Sequence, residues 1–244
     1  MKSTPGLRAT SPQRALTVSI GALFILLPAL LPAFAAGPYP YMAADRPDAL
    51  ALLPPPPRSG SSEQAADLAL AVSIFSGRTQ SEEAAAKAEE KPNIFLFAPA
   101  IGADFQAGRF PKTEALLNEV QKEILAVVVI CKTNFQRPRP YQADQRLSLG
   151  RTVKSFSYPS YHSTFGTVEG ALLAELFPQR AAAILETGRN LGWHRVLMGE
   201  HYPTDIYAGR VLGQAIVREL KTSAVFQHDF AECATEVASG NLIP

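Results

Sequence analysis

Residues 203–220 read PTDIYAGRVLGQAIVREL. Proline fits the first position of a helix, where its missing N–H costs nothing, so Pro203 marks a start. Ile206, Val211, Leu212, Ala215, Ile216 and Leu220 recur at three- to five-residue spacing and give one inner face. The stretch therefore reads as a helix rather than a strand, and the reading extends to the rest of the chain. No alternating strand pattern of useful length appears. The expected fold class is all-α, a compact helical bundle with an irregular proline-rich N-terminal arm.

Working back from Pro203, residues 178–191 read as a helix ending near Gly192. Residues 163–176 read as another, ending before Pro178. An ordered loop is expected over 135–160. Before it, 111–134 form a long buried helix with Leu116, Leu117, Val120, Ile124, Leu125, Val128 and Val129 as its apolar positions. Two shorter helices are expected, from Ser62 to Gly77 and from Ser81 to about Lys91, the first capped by Ser61 or Ser62. Downstream, residues 225–238 form a last, exposed helix. The domain division is 1–35, a signal peptide; 36–61, an extended arm with four consecutive prolines at 54–57, outside the core; and 62–244, the helical domain.

The signal-peptide reading rests on Lys2, Arg8 and Arg14, the nearly continuous apolar run from Ala15 to Leu31, and the small-x-small site Ala33-Phe34-Ala35. An uncleaved membrane anchor is the alternative. Cleavage after residue 35 leaves 20 of the 23 Lys and Arg against all 22 Asp and Glu, a formal charge of −2. That balance offers no electrostatic footprint for nucleic acid. No later segment is apolar for long enough to span a bilayer. Cys131 and Cys233 can form a disulfide in an exported protein or remain separate core thiols.

Three short segments carry nearly all the candidate chemistry: Lys132 to Pro140, Tyr158 to Ser163, and His194 to Asp205. In the third, His201 and Asp205 are four apart, so around the start of a helix the carboxylate can hold the imidazole in one tautomer. In the second, Ser160 and His162 lie just before a helix, whose free N–H groups make an anion site. In the first, Arg139 sits between Pro138 and Pro140, which fix the backbone that aims it. Lys132 and Arg137, taken alone, read as helix-end charges that complement the dipole. Three cations, a hydroxyl, two histidines and an aspartate together make a phosphoryl-transfer kit. A metal site loses ground, because Lys132, Arg139 and Arg195 would repel a cation. His228 lies outside the kit and reads as a surface residue.

Lys132-x6-Arg139-Pro140, Pro159-Ser160-x-His162 and Arg195-x5-His201-x3-Asp205 resemble the three-part signature of the type 2 phosphatidic acid phosphatase superfamily. Within it the chain is similar to the bacterial class A non-specific acid phosphatases, in the arm at 52–57 and in residues 173–176 and 208–213 as well. The resemblance implies an exported acid phosphatase acting on phosphomonoesters, with no cofactor and no metal. It implies His201 as nucleophile, Asp205 as its orienting carboxylate and His162 as proton donor. It further implies Lys132, Arg139, Arg195, Ser160 and the backbone N–H of Tyr161 as phosphate-binding groups. Small phosphorylated substrates are the expected partners, with homo-oligomerisation open, and the periplasm is the expected location, with secretion from the cell as the alternative. Lipid-phosphate phosphatase, vanadate-dependent haloperoxidase and non-catalytic phosphate binding remain alternatives. Two positions depart from the family pattern: Tyr161 where glycine is usual, and His194 where serine is usual.

Overall fold

The structure is a computed structural model and describes residues 39–240, except Ala44 and Arg151. The expected signal peptide at 1–35 and the first residues of the arm lie outside the described residues. Ten α-helices follow in order: α1 (Ala49–Leu52), α2 (Ser62–Gly77), α3 (Gln80–Ala88), α4 (Ala98–Ile101), α5 (Pro111–Phe135), α6 (Pro140–Ala143), α7 (Tyr161–Leu176), α8 (Ala181–Leu197), α9 (Pro203–Leu220) and α10 (Ala224–Ser239). Among the described residues there is no strand, as the helical periodicity predicts. None of these helices is long and apolar enough to cross a membrane.

Local chemistry sets the helix starts. Ser61 caps α2 by accepting from Gln64 N, and Thr79 with Glu82 forms a capping box on α3. Pro111 and Pro203 occupy the first positions of α5 and α9. Ser160 caps α7, with its Oγ accepting from Ser163 N at 3.3 Å. The hydroxyl of Ser163 donates to the Ile206 carbonyl of α9, 2.7 Å away.

α7 is the central element, packed most extensively on α8 and α9, with α5 also against it. Glycine lets α7 and α8 cross backbone to backbone: a Cβ on Gly166 would stand 2.2 Å from the Gly188 carbonyl oxygen. Gly192 plays a similar part, since a Cβ there would lie 2.8 Å from that of Ser163. It does not end α8, as the sequence suggested; the helix runs on to Leu197 and carries His194 and Arg195 on its last turn. Burial around Leu117, Val128, Phe165, Leu172 and Leu212 makes one core, and α5 turns Leu125, Val129 and Ile130 outward.

Other expectations need correction. The arm is partly a core element: Tyr41, Met42, Ala49 and Leu53 are buried in the main cluster. Tyr158 ties it down by donating to the Pro54 carbonyl at 2.7 Å. α10 is not simply exposed, because it buries Phe226 and Cys233. The region 135–160 is an ordered loop that also carries the short α6 and a 3-10 turn at Gln145–Leu147. Cys131 and Cys233 are separate buried thiols.

Candidate active site

His201 precedes α9 and Asp205 lies in its first turn, which makes the i, i+4 pair a direct contact. His201 Nδ1 and Asp205 Oδ2 are 3.0 Å apart, and the same oxygen accepts from Tyr202 N at 3.0 Å. A carboxylate can only accept, so Nδ1 carries the hydrogen and Nε2 keeps the lone pair that a base or nucleophile needs. Arg139 Nη1 donates to Nε2 at 3.2 Å. Burial, then the Arg139 charge, holds the His201 pKa well below the ordinary imidazole value, so the ring is neutral. Burial alone would raise Asp205, but His201 and Arg137 outweigh it and hold the carboxyl below its usual range.

The cations arrive from three directions. Arg139, at the entry to α6, donates from Nε to the Ser155 carbonyl at 2.9 Å and from Nη1 to the Glu200 carbonyl at 2.9 Å. The proline on each side holds its backbone extended, and these bonds fix its plane. Lys132, in the last turn of α5, donates to the Phe156 and Ser157 carbonyls. Burial, then repulsion from Arg139, lowers its pKa to about 7. Arg195, 1% exposed, comes from the last turn of α8 and donates to the Ala86 carbonyl of α3.

Ser160 is fully buried and its N–H donates to the Asp205 carbonyl at 3.0 Å, which seats the start of α7 on α9. His162 follows in the first turn of α7, and its Nε2 donates to the Glu89 carbonyl at 3.1 Å. Burial, then the Arg195 charge, pushes the His162 pKa down to about 3. The Ser160–Asp205 bond thus brings the first turn of α7, which carries His162, against the first turn of α9, which His201 precedes.

Both departures from the family pattern have a structural account. Tyr161 takes the first position of α7 without positive φ. Its hydroxyl accepts from Gln121 of α5 at 3.1 Å, and its ring lies 6.3 Å from that of Phe165. The side chain is therefore committed to the α5–α7 junction. His194 Nδ1 contacts Glu89 Oε2 at 2.7 Å, and Glu89 Oε2 is 4.0 Å from Arg195 Nη2. The C-terminal turn of α3 consequently forms one wall of the site. Its orphan carbonyls meet Arg195 and His162, as the negative end of a helix favours.

Sequence reasoning missed the roles of three residues. Arg137 is buried and spans Asp205 and Asp67 of α2. A signal for it existed: Arg137 and Arg139 each precede a proline, so both lie in extended backbone with similar directions available. Asp67 had no signal, being one acidic residue on an amphipathic helix. Glu89 was equally silent.

The family model of the PAP2 superfamily matches residues 122–227, which contain all three segments of the site. An acid phosphatase of Zymomonas mobilis is 32% identical over 198 residues, covering 75% of this chain and 72% of that protein. A non-specific acid phosphatase of Salmonella typhimurium is 30% identical over 156 residues, covering 60% of this chain and 61% of that one. Among solved structures, a transmembrane PAP2-type phosphatidylglycerolphosphate phosphatase from Bacillus subtilis has the same fold. Its TM-score is 0.51 at 21% identity, covering 71% of this chain and 89% of that one.

Proposed function

The chain belongs to the PAP2 superfamily, and on that premise we propose that it is an exported, metal-independent acid phosphatase working through a phosphohistidine on His201. The observation that carries the reading is the His201–Asp205 contact of 3.0 Å, which leaves Nε2 as the reactive nitrogen beside Arg139. The names of the relatives at 32% and 30% identity support phosphomonoester hydrolysis.

In the first step His201 Nε2 attacks phosphorus, the P–O bond to the leaving group breaks, and His162 gives that oxygen a proton. In the second step water attacks the phosphohistidine, the P–N bond breaks, and His162 takes the water's proton. Asp205 balances the charge that the His201 ring gains. Lys132, Arg139 and Arg195, with Ser160 and the Tyr161 N–H, hold the phosphoryl oxygens and stabilise charge as it builds. A low pKa for His162 opposes protonation, but a phosphoryl dianion against Arg195 supplies the opposite charge that raises it. The proton requirement on His162 is the reason to expect an acidic optimum.

Metal independence follows from the charge of the donors, since a cation among Lys132, Arg139 and Arg195 is repelled. Export to the periplasm is proposed from the positive and apolar pattern of residues 1–35. The test is a panel of phosphomonoesters at several pH values, on the natural protein and His201→Ala. Hydrolysis fastest at acidic pH and lost in the variant supports the proposal. Phosphate release no faster than in the variant overturns it. Vanadate-dependent bromide oxidation, measured alongside, identifies a haloperoxidase.

A further inference from the structure

We infer that Arg137 and Asp67 are positioning residues for phosphoryl transfer, holding Asp205 so that His201 presents Nε2 to phosphorus. The inference rests on the reading of His201 as the nucleophile.

The contacts form one continuous path. Asp205 divides its oxygens: Oδ2 takes His201 Nδ1 and Tyr202 N, and Oδ1 takes Arg137 Nη1 at 2.6 Å. The carboxylate cannot turn without breaking one of these. Arg137 Nη1 also donates to Thr204 Oγ1 at 2.7 Å, and Nη2 donates to Asp67 Oδ2 and Gln64 Oε1, each at 2.7 Å. Asp67 closes the ring, with Oδ1 accepting from Thr204 N at 3.2 Å and Oδ2 from the Thr204 hydroxyl. The Tyr202 ring lies 3.8 Å from the Arg137 guanidinium carbon and covers its face.

Chemistry explains the choice of residues. The Arg137, Asp67 and Asp205 side chains are at most 4% exposed, so none relies on water for solvation. One guanidinium fork between two carboxylates satisfies both, and a planar fork fixes direction as a point charge does not. The cluster keeps one net negative charge toward His201, the sign an imidazole that gains charge requires. Arg137 acts on His201 through Asp205. A shift of about 1 Å in a reacting atom can cost on the order of 100-fold in rate, so the fixing of one carboxylate matters to catalysis.

The experiment compares Arg137→Lys and Asp67→Asn with the natural protein by kcat, by the inhibition constant of inorganic phosphate, and by alkali-quenched phosphoenzyme. Lysine keeps the charge but cannot reach both carboxylates. In Arg137→Lys kcat is expected to fall about 10- to 100-fold, and in Asp67→Asn about 5-fold or more by the same reasoning. The phosphate inhibition constant stays within about 3-fold, because Lys132, Arg139 and Arg195 are untouched. A purely structural role lowers thermal stability and leaves kcat of the folded protein unchanged, and that result overturns the inference. So does an inhibition constant that rises in step with the loss of kcat, which makes Arg137 a phosphate ligand. If Arg137→Lys fails to fold, Asp67→Asn decides alone: unchanged kcat refutes the inference. Absence of phosphohistidine in the natural protein instead refutes the nucleophile reading beneath it.

Discussion

Glu89 and His194 meet across the site, Oε2 to Nδ1 at 2.7 Å, although 105 residues separate them in sequence. The contact places a carboxylate 4.0 Å from the Arg195 guanidinium, where it competes with any bound anion for that charge. Glu89→Gln keeps a hydrogen-bonding side chain and removes the negative charge. Inorganic phosphate is expected to inhibit the variant about 3- to 10-fold more tightly at low salt, the gain shrinking as salt screens it. Equal or weaker inhibition contradicts this account of the α3 wall.

Lys132 gives a separate pH dependence. Its pKa of about 7 lies below the ordinary lysine value because burial, then Arg139, disfavours the charged form. The ammonium is thus present below about pH 7 and lost above it. Sulfate, whose charge is constant over this range, reports the change. Its inhibition constant is expected to weaken about tenfold as pH rises through 7, the worth of one charged hydrogen bond. In Lys132→Met that step is absent. A step that survives belongs to another group.

Glu169 sits fully buried on α7, and neither carboxyl oxygen has a hydrogen-bond partner among the described residues. Burial raises its pKa well above the usual carboxylate value. The folded state therefore holds a proton that the unfolded state releases above its own lower pKa. Stability falls as pH rises between the two values and is regained on acidification. Glu169→Gln removes that dependence. The variant is expected to be more stable at pH 7 by about 1–3 kcal/mol, with the gain vanishing near pH 4. Thermal melts at both pH values check it; an equal effect at both refutes the titration.

The α7–α8 crossing makes a packing prediction. Gly188→Ala puts a methyl group against the Gly166 carbonyl, 2.1 Å from its oxygen. Backbone must move, and a loss of about 3 kcal/mol or more is expected, the upper range for overpacking. A melt within a degree of the natural protein contradicts the crossing as described.

Much of this was legible in the sequence because helical periodicity and proline starts act locally. Pro203–Leu220 matched its predicted bounds, as did Ser62–Gly77. The His201–Asp205 contact followed from i, i+4 spacing, and the segments holding Lys132, Arg139, Ser160, His162 and Arg195 do converge. What escaped depends on partners distant in sequence. Gly192 looked like a helix stop because nothing local reveals that Ser163 packs against it. Arg137 looked like a solvated helix end because Asp67 is 70 residues away. The wall formed by Glu89 required knowing that α3 packs against α8, and the buried part of the arm required knowing where Leu53 and Tyr41 dock.

The central claim is tested most directly by trapping the intermediate. The protein is mixed with a 32P-labelled phosphomonoester, quenched after milliseconds, and examined for bound phosphate and its position. The account predicts acid-labile, alkali-stable label on His201 in the natural protein, and no label in His201→Ala. Turnover of the natural protein without labelled enzyme, or label that persists in His201→Ala, contradicts it.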